Sequence, residues 1–549
     1  MIRILRQWIP GQPAWRDLIA GLSVAGVLLP EAVAYAGIGN LPPQAGVMAL
    51  LAGLLAYGLL GSSRFAIVSA TSSSAAVLLA ATASMAGTDI ALRMSLAVGL
   101  VLLTGLYFVI GSMAKLGAVS AFIARPVLRG FAFGLAVIII IKQGPKLVGL
   151  LPNGHGAGQV AWHLLEQFQS WHVPSLLVGG VALVTLFALQ RVKRRWPGAL
   201  LVMVAGIAAQ HLGLLEHWGV LRVGDFSVHL QAPDLPALAR EHWLRLGELA
   251  LAMVLILYAE SYGSIRTLAL RHGDVISPNR DLFALGIANL FSSLLHGMPV
   301  GAGYSASVVN EASGAKSKWS GLFAALLILI VIATLLPLLA DMPEPVLGAI
   351  VIHAVSHTLN PQVFQPYFQW RRDRLLVLGA IAAVLWLGVL DGLLASIGAS
   401  LFLTLRGLAQ ARVVELGRVG DTHDFIDIEL SPRVHRVPDV LILRPEAPLF
   451  FGNVERMLGQ VRHVLDAQVG VKTLVLSLEE SPDLDGSCVE ALRDLSFELA
   501  KSGRRLVLGR LKAPAYGVLL RAALTDTQLT MLSMEEAVSM ASTPPAAQA

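Results

Sequence analysis

Two glutamates stand where a hydrophobic chain would ordinarily carry none. Glu31 lies in "LLPEAVAYAGI" (28–38) and Glu260 in "LILYAESYGSI" (255–265). A carboxylate at the centre of a membrane span costs about 2.5 kcal/mol or more. An acid kept at that depth has chemistry to do, either taking up a proton or holding a cation. The bland alternative is a carboxylate at the water interface, or one paired with lysine or arginine. Pro30 offers the first helix a place to stop, which would leave Glu31 near the outer water. Ser261 and Ser264 accompany Glu260. Ser264 sits one helical turn on, on the same face as Glu260.

Two hydroxyl-rich stretches point to a second kind of chemistry. "GSSRFAIVSATSSSAAVLLAA" (61–81) and "PVGAGYSASVVNEASGAKSK" (299–318) both begin extended and Gly/Ser-rich, then become helical. The first helix starts near Thr71 or Ser72, the second near Tyr304 or Ser305. A helix N-terminus carries unpaired N–H groups and roughly half a positive charge. Irregular backbone at membrane depth is tolerated only against protein or a wet cavity. Two half-helices in oppositely oriented repeats aim their N-termini at each other, which makes an anion site with no buried cation. Thr71, Ser72, Ser305 and Ser307 add hydroxyl donors. Small residues that merely let helices pack closely explain one such stretch. A pair at matching places favours a binding site.

These residues must be held by a membrane protein. The chain of 549 residues is 55% hydrophobic and 14% charged, with a mean hydropathy of +0.68. Apolar runs near the length of a bilayer span recur from Leu18 to about Leu408. The first, Leu18–Leu29, follows Arg3, Arg6 and Arg16 but lacks a small-residue cleavage site, so it reads as a retained span. The net charge of +5 fits lysine and arginine in cytoplasmic loops better than a nucleic-acid partner. Cys488 is the one cysteine, which excludes an internal disulfide and a multi-cysteine metal site. No Walker motif or nucleophile elbow is present. The chain reads as a non-enzyme without a cofactor, and not as an ATP-driven pump.

About fourteen transmembrane segments are expected, divided by the polar connection Gly213–Leu244. The halves, about 1–215 and 240–412, hold an odd number of spans each and so lie in opposite orientations, as an inverted repeat. Aligning Glu31 with Glu260 places an acid and neighbouring aromatics at matching positions. Basic residues concentrate in alternate connections: Arg64; Lys115, Arg125 and Arg129; "QRVKRR" (190–195); Arg266, Arg271 and Arg280; Lys316 and Lys318; "RRDR" (371–374); Arg406 and Arg412. The positive-inside rule puts both termini in the cytoplasm. Beyond a linker at 413–438, strand-like "VLILR" and "TLVLSL" alternate with helical stretches. Residues 439–540 therefore read as a small α/β domain. The tail 541–549, ending "TPPAAQA", reads as disordered.

These residues together resemble a known family. "LLPEAVAYAGIGNLPPQAGVMALLAGLLAYGLLGSSR" and "ALGIANLFSSLLHGMPVGAGYSASVVNEASGAKS" are similar to the two signatures of the sulfate permease (SulP) anion transporters. "VLILRPEAPLFFGNVERM" and "LVLSLEESPDLDGSCVEALRDL" resemble the STAS domain that these carriers bear. The resemblance implies a seven-plus-seven inverted repeat with core and gate domains, elevator-like alternating access and a homodimer in the bacterial inner membrane. It implies transport of sulfate, bicarbonate, chloride, oxalate or dicarboxylates, often with protons or sodium. It places substrate-site positions at Glu31, Tyr35, Thr71 and Ser305, and the coupling acid at Glu260 with Ser264 beside it. Two departures stand out. Ser305–Ala306–Ser307 replaces a common Ser-Arg-Ser, and Ser69–Ala70 replaces a Gly-Pro, so the site is less positive than usual. In the STAS part, Gly486 occupies the phosphoserine position of the bacterial anti-sigma-antagonist pattern. Ser487 then reads as a cap for a helix beginning near Cys488.

The leading expectation is a symporter of an oxygen-rich anion, of the sulfate, bicarbonate or dicarboxylate class. Glu260 is the coupling residue, with protons favoured over sodium because no cage of oxygens surrounds it in sequence. Competing readings are a sodium-coupled bicarbonate symporter, an uncoupled anion channel or exchanger, a sensor signalling through its STAS domain, and a nucleobase carrier of similar fold.

Overall fold

A computed structural model of the chain describes residues 15–543 apart from 88, 118–123, 151–155, 193–197, 225–235, 372, 411, 469 and 525. Arg3, Arg6, the last three residues of "QRVKRR", one arginine of "RRDR" and the tail beyond 543 lie outside the described residues. The chain divides into two units, Met1–Ser400 and Leu401–Ala549.

The first unit is helical. Helices α1 (Trp15–Ile38) and α2 (Pro43–Leu60) lead into a two-residue strand, β1 (Val68–Ser69). Then come α3 (Ser72–Ala86), α4 (Ile90–Met113), α5 (Arg125–Leu147), a short α6 (Ala157–Glu166), α7 (Val173–Val192) and α8 (Gly198–His211). The second half repeats the order with α9 (Arg240–His272), α10 (Pro278–Leu294), β2 (Gly301–Ala302), α11 (Tyr304–Ala312) and α12 (Trp319–Leu339). It continues with α13 (Glu344–Ser356), a single turn α14 (Gln365–Gln369), α15 (Arg374–Leu387) and α16 (Val389–Ala409). Among the described residues, seven helices are long and apolar enough to cross a bilayer: α1, α2, α4, α5, α7, α9 and most of α16. The expected count of fourteen is not reproduced as such among the described residues: seven full-length spans stand with shorter apolar helices, α3, α8, α12 and α15.

The helices fall into two packed sets. One joins α1–α4 with α9–α12, and the other joins α5, α7, α13 and α15. Both broken segments belong to the first set. Pro30 does not end α1, which runs on to Ile38 and leaves Glu31 buried. Proline removes one backbone donor, but neighbouring helices and short hydroxyl side chains re-satisfy such gaps inside a membrane protein. Close approach of backbones does the rest. A Cβ on Gly46 would stand 1.9 Å from the Ala32 carbonyl oxygen, and one on Gly53 would stand 2.4 Å from that of Val68. Glycine is the one residue that lets α2 lie this near α1 and β1.

Two buried aspartates fasten the far ends of the broken segments. Asp17 accepts from the backbone N–H groups of Lys316 (2.6 Å) and Ser317 (2.9 Å) and from the Ser317 hydroxyl (2.7 Å). Asp281 accepts from the Tyr57 hydroxyl (2.8 Å) and from the Ser62 N–H and hydroxyl (2.8 and 2.6 Å). Both sit in the first turn of a helix, where negative charge is favoured. The Lys318 ammonium reaches the Leu59 and Gly61 carbonyls at the end of α2, where a cation complements the helix terminus.

The second unit holds a mixed sheet. Its strands are β3 (Val413–Val419), β4 (Phe425–Asp427), β5 (Val434–His435), β6 (Val440–Pro445), β7 (Thr473–Ser477), β8 (Arg505–Gly509) and β9 (Thr527–Leu529). Their order is β4-β3-β6-β7-β8-β9, with β5 also on β3; β6 to β9 run parallel. Residues 413–438 are therefore not a linker. They carry three strands, and Val414 pairs with Arg444 in the central sheet. The short alternating run "VVELGRV" was masked by its charges, yet its Val414 and Leu416 enter the core. Leucines of β6, β7 and β8 face α17 (Val454–Ala467), α18 (Gly486–Lys501) and α19 (Ala513–Ala522). The valines and isoleucine between them face α20 (Met534–Ser542). This is the two-residue period of a sheet covered on both faces.

Helix α18 starts at Gly486, two residues before the expected start. Its cap is Asp485, which accepts from the Cys488 N–H at 2.9 Å. The same carboxylate accepts from the Phe451 N–H at 2.7 Å. Burial pushes the Cys488 thiol up to about 12, and the Asp485 carboxylate beside it adds to the rise. A thiol that stays protonated is a poor nucleophile.

Two outcomes are expected. Gly46→Ala lowers the unfolding temperature by the equivalent of about 1–3 kcal/mol or more, read by thermal scanning in detergent. Gly111→Ala, where a Cβ meets nothing within 4 Å, leaves it unchanged. Iodoacetamide at pH 8 labels Cys488 only after the STAS unit is unfolded. Rapid labelling of the native chain would contradict the buried, protonated thiol.

Candidate functional site

The two broken segments meet. Strands β1 and β2 pair antiparallel, Val68 against Ala302 and Ser69 against Gly301. Each strand then turns into a helix, α3 after Thr71 and α11 after Gly303. A Cβ on Gly303 would lie 3.6 Å from Thr71 Cγ2, so the two helix starts are in van der Waals reach.

Short polar side chains complete the backbone hydrogen bonding of this crossing. Ser261 Oγ accepts from the Ala302 N–H at 2.8 Å. Asn289 bonds both the N–H and the carbonyl of Val300, at 3.0 and 2.9 Å. Ser307 Oγ donates to the Gly303 carbonyl at 2.7 Å and accepts from the Ile67 N–H at 3.1 Å. Asn310 donates to the Phe65 carbonyl at 3.1 Å.

At α3, Thr71 forms a capping box with Ser74. Thr71 Oγ1 accepts from the Ser74 N–H at 3.1 Å, and Ser74 Oγ accepts from the Thr71 N–H at 2.9 Å. At α11, Gly303 offers no side chain to the helix start. The first-turn N–H groups of α11 have no intrahelical partner, and its cap residue leaves them to whatever occupies the adjacent space.

That space is a cavity of about 170 Å³. Glu31, Tyr35, Thr71, Ser72, Glu260, Ser305 and Ala306 all line it, on one floor with Ser69, Ser73 and Tyr304. Glu31 and Tyr35 are hydrogen-bonded to each other, one helical turn apart on α1. The Glu260 carboxylate accepts from the Thr71 hydroxyl at 3.4 Å and more closely from Ser73. The opposing wall comes from the second helix set. It consists of Leu128, Phe131, Ala132, Leu135 and Ala136 of α5, with Ala354, Val355, His357 and Thr358 at the end of α13.

Two residues singled out from sequence stand elsewhere. Ser307 is fully buried and does not line the cavity; its hydroxyl is used up by backbone of the crossing. Ser264 donates to the Glu260 backbone carbonyl at 2.9 Å, is buried and does not line the cavity. A side chain one turn along a helix can return its hydroxyl to its own backbone, and both serines do so. Ser73 was missed. Its role depends on Glu260, which is 187 residues away; nothing in "ATSSS" distinguishes it from Ser72. His357 was missed as well, lying outside every segment that carried a motif.

Ser307→Ala tests the reassignment. It leaves the Ile67 N–H without its partner, which costs about 1–3 kcal/mol of stability; the Gly303 carbonyl keeps the Ser307 N–H. A lowered unfolding temperature with unchanged anion affinity is expected. Intact stability with lost affinity would return Ser307 to the binding site.

The profile of the sulfate permease family matches residues 15–402, and that of the STAS domain matches residues 431–537. A probable sulfate transporter of Mycobacterium tuberculosis is 31% identical over 523 residues, spanning 95% of this chain and 92% of that one. Human sulfate anion transporter 1 is 28% identical, over 85% of this chain and 73% of its own. Among solved structures, the murine solute carrier 26 family member A9 anion transporter in the inward-facing state superposes with a TM-score of 0.88. It is 21% identical and is covered over 93% of its length by 98% of this chain. The transmembrane domain of a cyanobacterial bicarbonate transporter, BicA, superposes with a TM-score of 0.60 at 22% identity, over 71% of this chain and 99% of that one. The fold, the helical membrane unit and the STAS sheet agree with these relatives, and the chain belongs to the sulfate permease family of anion transporters.

Proposed function

We propose that this chain is a proton-coupled symporter of a small oxygen-rich anion, which binds in the cavity between the two helix sets. The observation that carries the reading is the Glu260 carboxylate hydrogen-bonded to Thr71 and Ser73, in the first turn of α3. The positive end of α3 is thereby occupied by an internal anion. A substrate anion arriving at Ser305 and the start of α11 meets that negative charge at short range, and the local dielectric is low.

Protonation of Glu260 removes the repulsion and frees the Ser73 and Thr71 hydroxyls to turn toward substrate. Proton and anion then bind with positive coupling, and each raises the other's affinity by the same factor. Sodium beside Glu260 would neutralise it equally. The serine that was expected to complete a sodium shell, Ser264, is turned to backbone, which supports the proton. With Ala306 in place of a cation, backbone N–H groups and Ser305 do the anion binding. Sulfate heads the substrate class because the relatives carry that name; bicarbonate and dicarboxylates share its oxygen-rich chemistry.

Access to the two sides would alternate as the first helix set, carrying Glu31, Glu260 and both half-helices, moves as one body against the second. The cavity lies between the sets, as an elevator requires. We place the protein as a homodimer in a bacterial inner membrane, with both termini and the STAS unit in the cytoplasm by the positive-inside rule.

Uptake into proteoliposomes tests the reading, with labelled sulfate, bicarbonate, fumarate, succinate and chloride under proton or sodium gradients. Wild type concentrates at least one oxygen-rich anion when an inward proton gradient is imposed. Glu260→Gln abolishes the accumulation. Accumulation by Glu260→Gln in response to the proton gradient would falsify the coupling role. Ser305→Trp fills the floor and reduces binding at least about tenfold, a loss of 1.4 kcal/mol; normal affinity in that variant removes the site assignment.

A further inference from the structure

The cavity poses an electrostatic problem. Among the described residues its lining carries two carboxylates, Glu31 and Glu260, and no lysine or arginine. Helix termini supply only partial charge. Of the described residues lining the cavity, His357 is the one whose side chain can become positive. It opens the turn His357–Leu359 that follows α13, on the wall opposite the half-helices. Its neighbour one turn back, His353, is already engaged, with Nε2 3.1 Å from Gln190 Oε1 and its ring against Phe187.

We propose, on the reading that an anion occupies this cavity, that the His357 imidazole is the anion's partner from the second helix set. Its protonated form supplies the full positive charge that the floor lacks. The groups facing it are few. Glu31 and Tyr35 of α1, Glu260 of α9 and Tyr304 of α11 look across the cavity. The cavity face of α5 is apolar, because Arg125, Arg129, Lys142 and Lys146 all lie outside the lining. Arg129 is turned to the Val363 carbonyl and the Tyr367 ring. On α13, Glu344 sits in the opposite end turn and His353 one turn away. Burial disfavours the imidazolium, while the Ala354 backbone, to which the ring is hydrogen-bonded, and an incoming anion favour it.

The anion is held between donors of one helix set and an imidazolium of the other, so its binding draws the two sets together. A doubly charged anion gains most from a partner on each wall. A charge on the moving boundary also makes affinity rise as pH falls through the histidine range, between about pH 5 and 8.

The experiment is calorimetric titration of the full-length purified chain with sodium sulfate and with disodium fumarate, at pH 6 and pH 8. Wild type, His357→Gln, His357→Arg and Ser305→Trp are compared. A charge-assisted hydrogen bond is worth enough that His357→Gln weakens binding about tenfold at pH 6 and has little effect at pH 8. His357→Arg keeps tight binding at both values, because its charge does not titrate. Equal affinity for wild type and His357→Gln at pH 6, with Ser305→Trp failing to bind, overturns the histidine role and leaves the cavity standing. Normal binding by Ser305→Trp as well shows that the anion binds elsewhere, and both readings fall together. Loss of binding in His357→Arg matching that in His357→Gln at both pH values also overturns the proposal, since a purely steric role explains it.

Discussion

Everything in the membrane unit depends on one constraint: a helix broken at membrane depth must still satisfy its backbone. Two breaks face each other here, and they solve the problem jointly. Val68 and Ser69 pair with Ala302 and Gly301, so each extended strand is the other's partner. What the two-residue ladder leaves over is taken by Ser261, Asn289, Ser307 and Asn310. Neither break could exist alone, because a lone extended strand would bury unpaired N–H and carbonyl groups at several kcal/mol each. The paired arrangement of the two halves is thus a structural requirement of the crossing.

The binding floor follows from that solution. Pairing the strands fixes where α3 and α11 begin, and it brings the two N-termini to one cavity wall. Capping then makes them unequal. Thr71 and Ser74 close part of the α3 terminus, and Ser73 with Thr71 gives its remaining pull to Glu260. Gly303 leaves α11 open. One terminus meets the protein's own carboxylate and the other opens on the cavity. In the proposed function, this asymmetry within a symmetric scaffold is what would let a proton on Glu260 be felt by an anion near Ser305. Asp17 and Asp281 hold the outer ends of both segments, so the crossing is fixed at its middle and at its margins.

Several elements were legible in the sequence because their signals are local. The half-helix starts follow from Gly/Ser-rich backbone giving way to helix formers, and the structure starts them at Ser72 and Tyr304. The α/β alternation of the C-terminal unit follows from short apolar runs between amphipathic helices. Where local signals conflict with packing, the reading failed. Pro30 marks a helix end in water, but α1 runs through it inside a packed bundle. The charged "VVELGRV" looked like a linker, yet a strand edge needs only alternate residues to be apolar, and Val414 and Leu416 suffice. Ser264 and Ser307 have the right chemistry and spacing, but their hydroxyls went to backbone acceptors that no sequence displays.

By itself the sequence determined the membrane class, the paired interruptions, the two intramembrane acids and the missing cation at Ala306. Composition, period and residue type are properties of the chain read one stretch at a time. Only the tertiary structure decided which oxygen faces which charge. Ser73 rather than Ser264 meets Glu260, Ser307 serves the backbone, and His357 closes the far wall of the cavity. Those partners lie tens to hundreds of residues apart. A hydrogen bond is set by distance and angle in space, and spacing along the chain carries neither.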